Sequence, residues 1–308
     1  MDQARSGVVA LCAACVIWGL SPLYYKLLIH VPPPELLAHR TLWSAIIFLA
    51  LLAAQGRVKA LGMALGSVRA LWITLVSAIM ISINWGLFIL SVQIDRVTET
   101  ALGYYIFPLV AVLLGVIVLR ETLSRAQWLA VALACVAVCV LTVGQGVAPW
   151  ISLILAFTFG LYGLIKKQMA AGPVVSVTAE VLVLMPFALG WLMWLHLGRD
   201  VPSPGVFGQD IATSALLVFS GFITAFPLVL FSRGAQQVRL ATVGLVQFIN
   251  PTLQFLCAVL VFSEPFGIVH AVTFALIWVA LALYSANALA QDKARRRIAM
   301  TSSQDTPV

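Results

Sequence analysis

Lys26, Glu35, His39 and Arg40 sit where the first two apolar stretches of the chain join, and they offer most of its chemistry. Glu35 and His39 are four residues apart and share a helix face. Lys26 lies about one turn before the turn His30-Val31-Pro32-Pro33-Pro34, which no helix can continue, and Arg40 just over one turn after it. All four therefore share one depth. An unpaired ionisable group inside a bilayer costs roughly 2.5–3.5 kcal/mol or more, so its first reading is functional. The plainer alternative is that Lys26 and Arg40 reach the headgroups along their aliphatic stems. An arginine in low dielectric stays charged and needs an anion: Glu35, a helix end or a group on a ligand. A histidine beside it titrates near neutral pH, which would let protonation and occupancy exclude one another. Lys26, His39 and Arg40 outnumber Glu35, so the cluster favours a carboxylate-bearing or zwitterionic ligand over a simple cation, with protons as the coupling ion.

A second charged pair, Lys167 and Glu180, is expected near the opposite face. Lys26 with Glu35 and Lys167 with Glu180 then read as two gates, and Pro108 and Pro251 as helix breaks that free a backbone carbonyl. Asn84, Tyr104, Tyr105, Gln247, Asn250 and Gln254 put amides and phenols in apolar helices, as a cavity for an amphipathic organic molecule requires. Bonding between helices is the plain alternative for each.

Enzymatic readings find little support. Asp95, Asp200 and Asp210 fall in loops, leaving no carboxylate pair inside the membrane. His30, His39, His196 and His270 are scattered without metal-ligand spacing, so no metal site is expected. There is no GxSxG, P-loop or GxGxxG, hence no expected catalytic residue or cofactor. Cys12, Cys15, Cys135, Cys139 and Cys257 lie within apolar spans and read as packing residues.

The elements that hold these residues follow from composition. A chain of 308 residues that is 62% hydrophobic and 9% charged, with a mean hydropathy of +1.05, lacks the polar surface of a soluble globule. Crossing a bilayer takes about 20 apolar residues. Ten such stretches are expected, over 8–29, 35–54, 70–91, 98–119, 126–143, 150–166, 175–196, 211–231, 240–262 and 266–287. The net charge of +7 sits in short loops and a tail, which excludes nucleic acid as a partner and favours anionic lipid at the inner face.

The chain also repeats. Arg96, Leu102, Ile106, Pro108, Val116, Val118 and Glu121 return as Arg239, Leu245, Ile249, Pro251, Val259, Val261 and Glu264, each 143 residues on, as from Glu121 to Glu264. Two homologous halves are expected, 6–143 and 149–287, followed by a disordered basic cytoplasmic tail at 288–308. Five helices per half is odd, so the halves must cross in opposite senses. With both termini inside, fourteen Lys and Arg residues fall on inner segments and only Arg96 and Arg199 on outer loops. The fold class is an all-α integral membrane protein of ten transmembrane helices in two inverted five-helix repeats.

Trp18-Gly19-Leu20-Ser21-Pro22-Leu23-Tyr24-Tyr25-Lys26, Glu35-Leu36-Leu37-Ala38-His39-Arg40, Leu102-Gly103-Tyr104-Tyr105 and Pro251-Thr252-Leu253-Gln254-Phe255 with Glu264-Pro265-Phe266 carry a resemblance over nearly the whole chain. The chain resembles the RarD branch of the EamA-type drug/metabolite transporters. The resemblance implies ten helices in two inverted repeats, a cytoplasmic-membrane location and transporter activity. Phe107 stands where that family usually has Asn, while its repeat mate Asn250 keeps the amide. The expected function is secondary active transport, outward, of a small organic metabolite or drug-like molecule by alternating access. The alternative class is a non-transporting membrane sensor or assembly factor. Neither reading sets an oligomeric state.

Overall fold

The computed structural model describes residues 3–120, 123–166, 169, 171–198, 204–238 and 240–304. Its helices are α1 (Gln3–Leu27), α2 (Pro33–Ala54), the short α3 (Gly62–Leu65), α4 (Val68–Gln93), α5 (Val97–Leu119), α6 (Arg125–Gln145), α7 (Trp150–Lys166), α8 (Pro173–Leu197), α9 (Ile211–Gln237), α10 (Leu240–Gln247), α11 (Ile249–Leu256) and α12 (Ile268–Gln304). Local sequence sets these ends. Pro33 and Pro173 open α2 and α8, where a missing N–H costs nothing. Ser67 caps α4, and Ser124 with Gln127 forms a capping box on α6. Asp210 caps α9 by accepting from the Thr213 amide at 2.7 Å, and this bond holds its carboxyl below the ordinary range.

Ten crossings result among the described residues. Eight helices are long and apolar enough to span a membrane, and two shorter apolar segments, Trp150–Lys166 and Leu245–Val261, supply the sixth and ninth. The expected proline breaks differ. Pro108 lies inside an unbroken α5, whereas the ninth crossing is interrupted at Phe248, three residues before Pro251, and continues beyond α11 as a π-wound turn, Cys257–Val261. Pro251 gives the Gln247 carbonyl no partner four residues on, and there the ladder yields. The tail expected to be disordered is helical as far as Gln304, because 286–304 holds no Gly or Pro and is rich in Ala, Lys and Arg.

The packing repeats about a two-fold. α1 lies along α10 and α11 as α7 lies along α5, and α1 packs on α9 as α7 packs on α4. Mates meet in α2 against α8, α5 against α11 and α6 against α12. The correspondence reaches single residues. A Cβ on Gly19 would lie 2.7 Å from Leu253 Cβ, and one on Gly160 would lie 3.2 Å from Val110 Cγ1; Val110 and Leu253 are repeat mates. Arg120 and Ser263, also 143 residues apart, both hold a left-handed φ of 55° at the ends of equivalent crossings.

The two ends of the bundle close differently. At the end holding the α1–α2 turn, Glu264 accepts from Val97 N (2.6 Å), Thr98 N (2.7 Å) and Thr98 Oγ1 (2.6 Å), so a carboxylate from the second half caps a helix of the first. There too, His30 meets Thr213 at 3.0 Å and Tyr24 donates to the Leu216 carbonyl at 2.5 Å. At the opposite end Gly7 and Gly234 let α1 and α9 touch, and Asn287 donates to Ser124 Oγ at 2.9 Å.

Candidate functional site

Arg40 lies seven residues into α2, about 10 Å from the end of the helix by its rise. It is 6% exposed. Its guanidinium stacks over Trp85 of α4, 4.1 Å from the ring centre, and over Tyr25 of α1 at 5.7 Å. Among the described residues it makes no hydrogen bond or ion pair, and its Nε is buried without a partner. Nearby, Ser44 Oγ, one turn along α2 from Arg40, is also buried and unpartnered. Cation–π contact supplies about 0.5–2 kcal/mol, less than the several kcal/mol that burying a cation costs. No carboxylate among the described residues pairs with Arg40.

Glu180 occupies the corresponding place in α8. Each residue is seven past the proline that opens its helix, so the inverted halves put an arginine and a glutamate at mirrored depths. Glu180 is 1% exposed and fully engaged. Its Oε1 accepts from Lys166 Nζ (2.6 Å) and from Ser77 Oγ of α4 (2.6 Å), and its Oε2 from the Tyr162 hydroxyl (3.2 Å). A line of aromatic rings joins the two charges: Tyr25 to Phe88 at 5.5 Å, Phe88 to Tyr104 at 6.3 Å, Tyr104 to Phe159 at 5.8 Å and Phe159 to Tyr162 at 5.9 Å. Phe107 joins it against Phe159 at 4.9 Å.

Several expected partners change. Lys26 pairs with Asp95 and lies over the Phe262 ring, so the Lys26–Glu35 pair is not formed. Lys26 is at the exposed rim, whereas Glu35 is buried and its Oε1 accepts from Val206 N (2.7 Å) and Phe207 N (3.4 Å) in the loop before α9. Lys167 lies outside the described residues, and the cation on Glu180 is Lys166. The opening prolines explain it: α2 and α8 correspond with an offset of 140, as from Pro33 to Pro173, which matches Lys26 with Lys166. His39 and Arg40, read as one edge, diverge. His39 turns away from Tyr25 and Trp85 and stacks on Phe207 at 4.7 Å.

The amides bond to neighbouring groups of the bundle. Asn84 Nδ2 donates to the Leu155 carbonyl (3.0 Å) and Thr158 Oγ1 (3.2 Å), and its Oδ1 accepts from the Tyr104 hydroxyl (2.9 Å), tying α4, α5 and α7 together. Tyr105 bonds Thr252 at 2.6 Å, and Gln254 donates to Asn250 Oδ1 at 2.9 Å; neither joins Arg40. Gln247 ends α10, beside the helix break.

Sequence reasoning missed Trp85, Tyr25, Tyr162 and His196. Lone aromatics in apolar helices carry no signal of their own, although Tyr162 and Lys166 are spaced four apart on one face. His196 stands at the far end of α8 from Glu180, and the packing of α2 on α8 brings it to Glu35 and His39. The histidines have no metal-ligand spacing in sequence, and this meeting is made by tertiary packing alone.

The EamA-like transporter family matches residues 5–143. A protein RarD of Streptomyces exfoliatus is 43% identical over 291 residues, covering 94% of this chain and 90% of its own. A protein from Vibrio cholerae described as an uncharacterized transporter is 36% identical over 296 residues, covering 96% of this chain and 97% of its own. A crystal structure of a protein 17% identical in sequence aligns with a TM-score of 0.59 over 91% of this chain and 96% of that one, and shares the fold.

Proposed function

The chain belongs to the RarD branch of the EamA-like transporter family, and from that premise we propose that it exports a small organic molecule bearing a carboxylate. It is a multi-pass membrane protein of a transporter family; direction, substrate class and mechanism are the proposal. The observation that carries it is Arg40, a buried cation with an aromatic cage and no carboxylate partner among the described residues. A planar guanidinium binds a carboxylate through two parallel hydrogen bonds, and in low dielectric such bonds are strong. The ring series from Tyr25 to Tyr162 offers apolar surface to the rest of the molecule.

Alternating access then needs one barrier at each face, and the halves, 6–143 and 149–287, hold each other at both. Glu35 of the first half grips loop amides of the second, and Glu180 of the second half holds Ser77 of the first. Each bond parts when its own side opens. Protons are the coupling ion in this reading, exchanged at Glu180: neutralising the carboxylate weakens its bond from Ser77 and frees Lys166.

In liposomes, the purified protein should move labelled carboxylates from a metabolite panel faster than protein-free liposomes do, and an imposed proton gradient should drive their net accumulation. Movement without any response to the gradient removes the proton; movement of none of the panel leaves the sensor or assembly factor. Orientation is tested separately. The reading puts both termini in the cytoplasm, with anionic lipid at that face, and Arg96 outside. A single cysteine at position 96 in a cysteine-free background should label in intact cells. Labelling only after permeabilisation reverses the orientation.

A further inference from the structure

Glu35, His39 and His196 place one ligand atom each within 4.8 Å of the others. Glu35 is 1% and His39 3% exposed, and Glu35 Oε2, His39 Nδ1 and His39 Nε2 are all buried without a hydrogen-bond partner. Each such orphan costs about 1–3 kcal/mol, and Glu35 Oε2 and one nitrogen of His39, gathered with His196, call for a common partner; an imidazole gives an ion only one of its nitrogens. We infer that this cluster is a binding site for a divalent transition-metal ion of the zinc type, bridging the two halves of the transporter at the end of the bundle that holds the α1–α2 turn.

The donor set selects the ion. Two imidazoles and one carboxylate suit Zn²⁺, whereas Mg²⁺ and Ca²⁺ want six or more oxygens. Tetrahedral Zn²⁺ with bonds of roughly 2.0–2.1 Å holds its ligand atoms about 3.3 Å apart, so side-chain adjustments of about an ångström close the cluster on the ion. Water takes the fourth position. Surrounding groups hold the ligands in place. The other carboxylate oxygen of Glu35 is fixed by the Val206 and Phe207 amides, and the His39 ring lies on Phe207. Gly205 lets the same loop press on His196, since a Cβ there would come 2.5 Å from Cε1 and Nε2 of the imidazole. His196 is exposed, which gives the ion its entry from the rim.

The position sets the consequence. Glu35 and His39 belong to α2, His196 to α8, and these mates come from opposite halves. The three donors meet only while the two helices stay together at this end, so a bound ion favours the state closed there by its differential affinity. The inference goes beyond the export reading, because binding to the purified protein needs no substrate.

Purified protein with any affinity tag removed should bind Zn²⁺ at one site per chain by calorimetry, and Zn²⁺ should raise its thermal midpoint while Mg²⁺ does not. Co²⁺ in the same site should give the visible absorption of a low-coordinate histidine complex. Changing an outer-shell partner costs 10–100-fold in metal affinity, so loss of a ligand in H196Q or E35Q should weaken Zn²⁺ by on the order of 100-fold or more. His196 is exposed, and its replacement leaves the fold intact. Absence of Zn²⁺ binding by wild type overturns the site, and so does binding that survives in both H196Q and E35Q. Transport by a wild type that binds no Zn²⁺ would leave the export reading standing.

Discussion

Replacing Arg40 by lysine should cut carboxylate transport by about 10–100-fold, and replacing it by methionine should abolish transport while leaving the protein at least as stable. The two halves of this expectation rest on different facts. Lysine keeps the charge but loses the planar fork, and a hydrogen bond to a charged group contributes about 1.5–3 kcal/mol, which is the stated range of rates. Its ammonium also cannot stack face to face on Trp85 as the guanidinium does. Methionine removes a buried cation that has no hydrogen bond or ion pair among the described residues, so none of these is orphaned and a desolvation cost is relieved. Gain of stability with loss of function is the pattern of a site held ready for a ligand. Rates in liposomes at matched protein content, with melting in detergent, would decide it. Wild-type transport by R40K together with a lower melting point for R40M would make the arginine a structural group reaching toward the headgroups.

What the sequence made legible was whatever depends on period and count. Apolar length gave the crossings, the 143-residue repeat gave two halves, and an odd helix number gave their inversion. The start of the second helix, expected near Glu35 after the proline turn, falls two residues earlier, at Pro33. Helix phase was harder, because neighbours such as His39 and Arg40 differ by about a hundred degrees of rotation and only packing says which way each turns. The repeat itself misled where its offset drifts. Alignment at 143 hides the fact that α2 and α8 correspond at 140, and so hides Arg40 and Glu180 as mates. The meeting of Glu35, His39 and His196 was beyond linear spacing altogether, since it needs α2 to lie against α8.

Replacing Glu180 by glutamine should raise accessibility at the end of the bundle that holds Glu180 about 5–30-fold, with only a small loss of stability. Glu180 makes three side-chain contacts, and they do not contribute equally to gating. Lys166 and Tyr162 belong to the same half as Glu180, so those contacts move with it and stabilise both facing states alike. Ser77 belongs to α4 of the other half, and its 2.6 Å bond exists only while this end is closed. Glutamine keeps a hydrogen bond there but makes it neutral, which forfeits about 1–2 kcal/mol of the closed state and shifts the ratio of states by the stated factor. Lys166, 21% exposed along its side chain, can turn its ammonium toward the headgroups and so spares the fold. S77A removes the same bond from the other side without touching the ion pair, and it should produce a similar shift. The two changes together should then give little more than either alone, because they delete one interaction. Reactivity of a single cysteine placed among the aromatic rings near Glu180 measures the opening. Equal reactivity in wild type and both variants, or strictly additive effects in the double variant, would show that Glu180 and Ser77 are static packing partners.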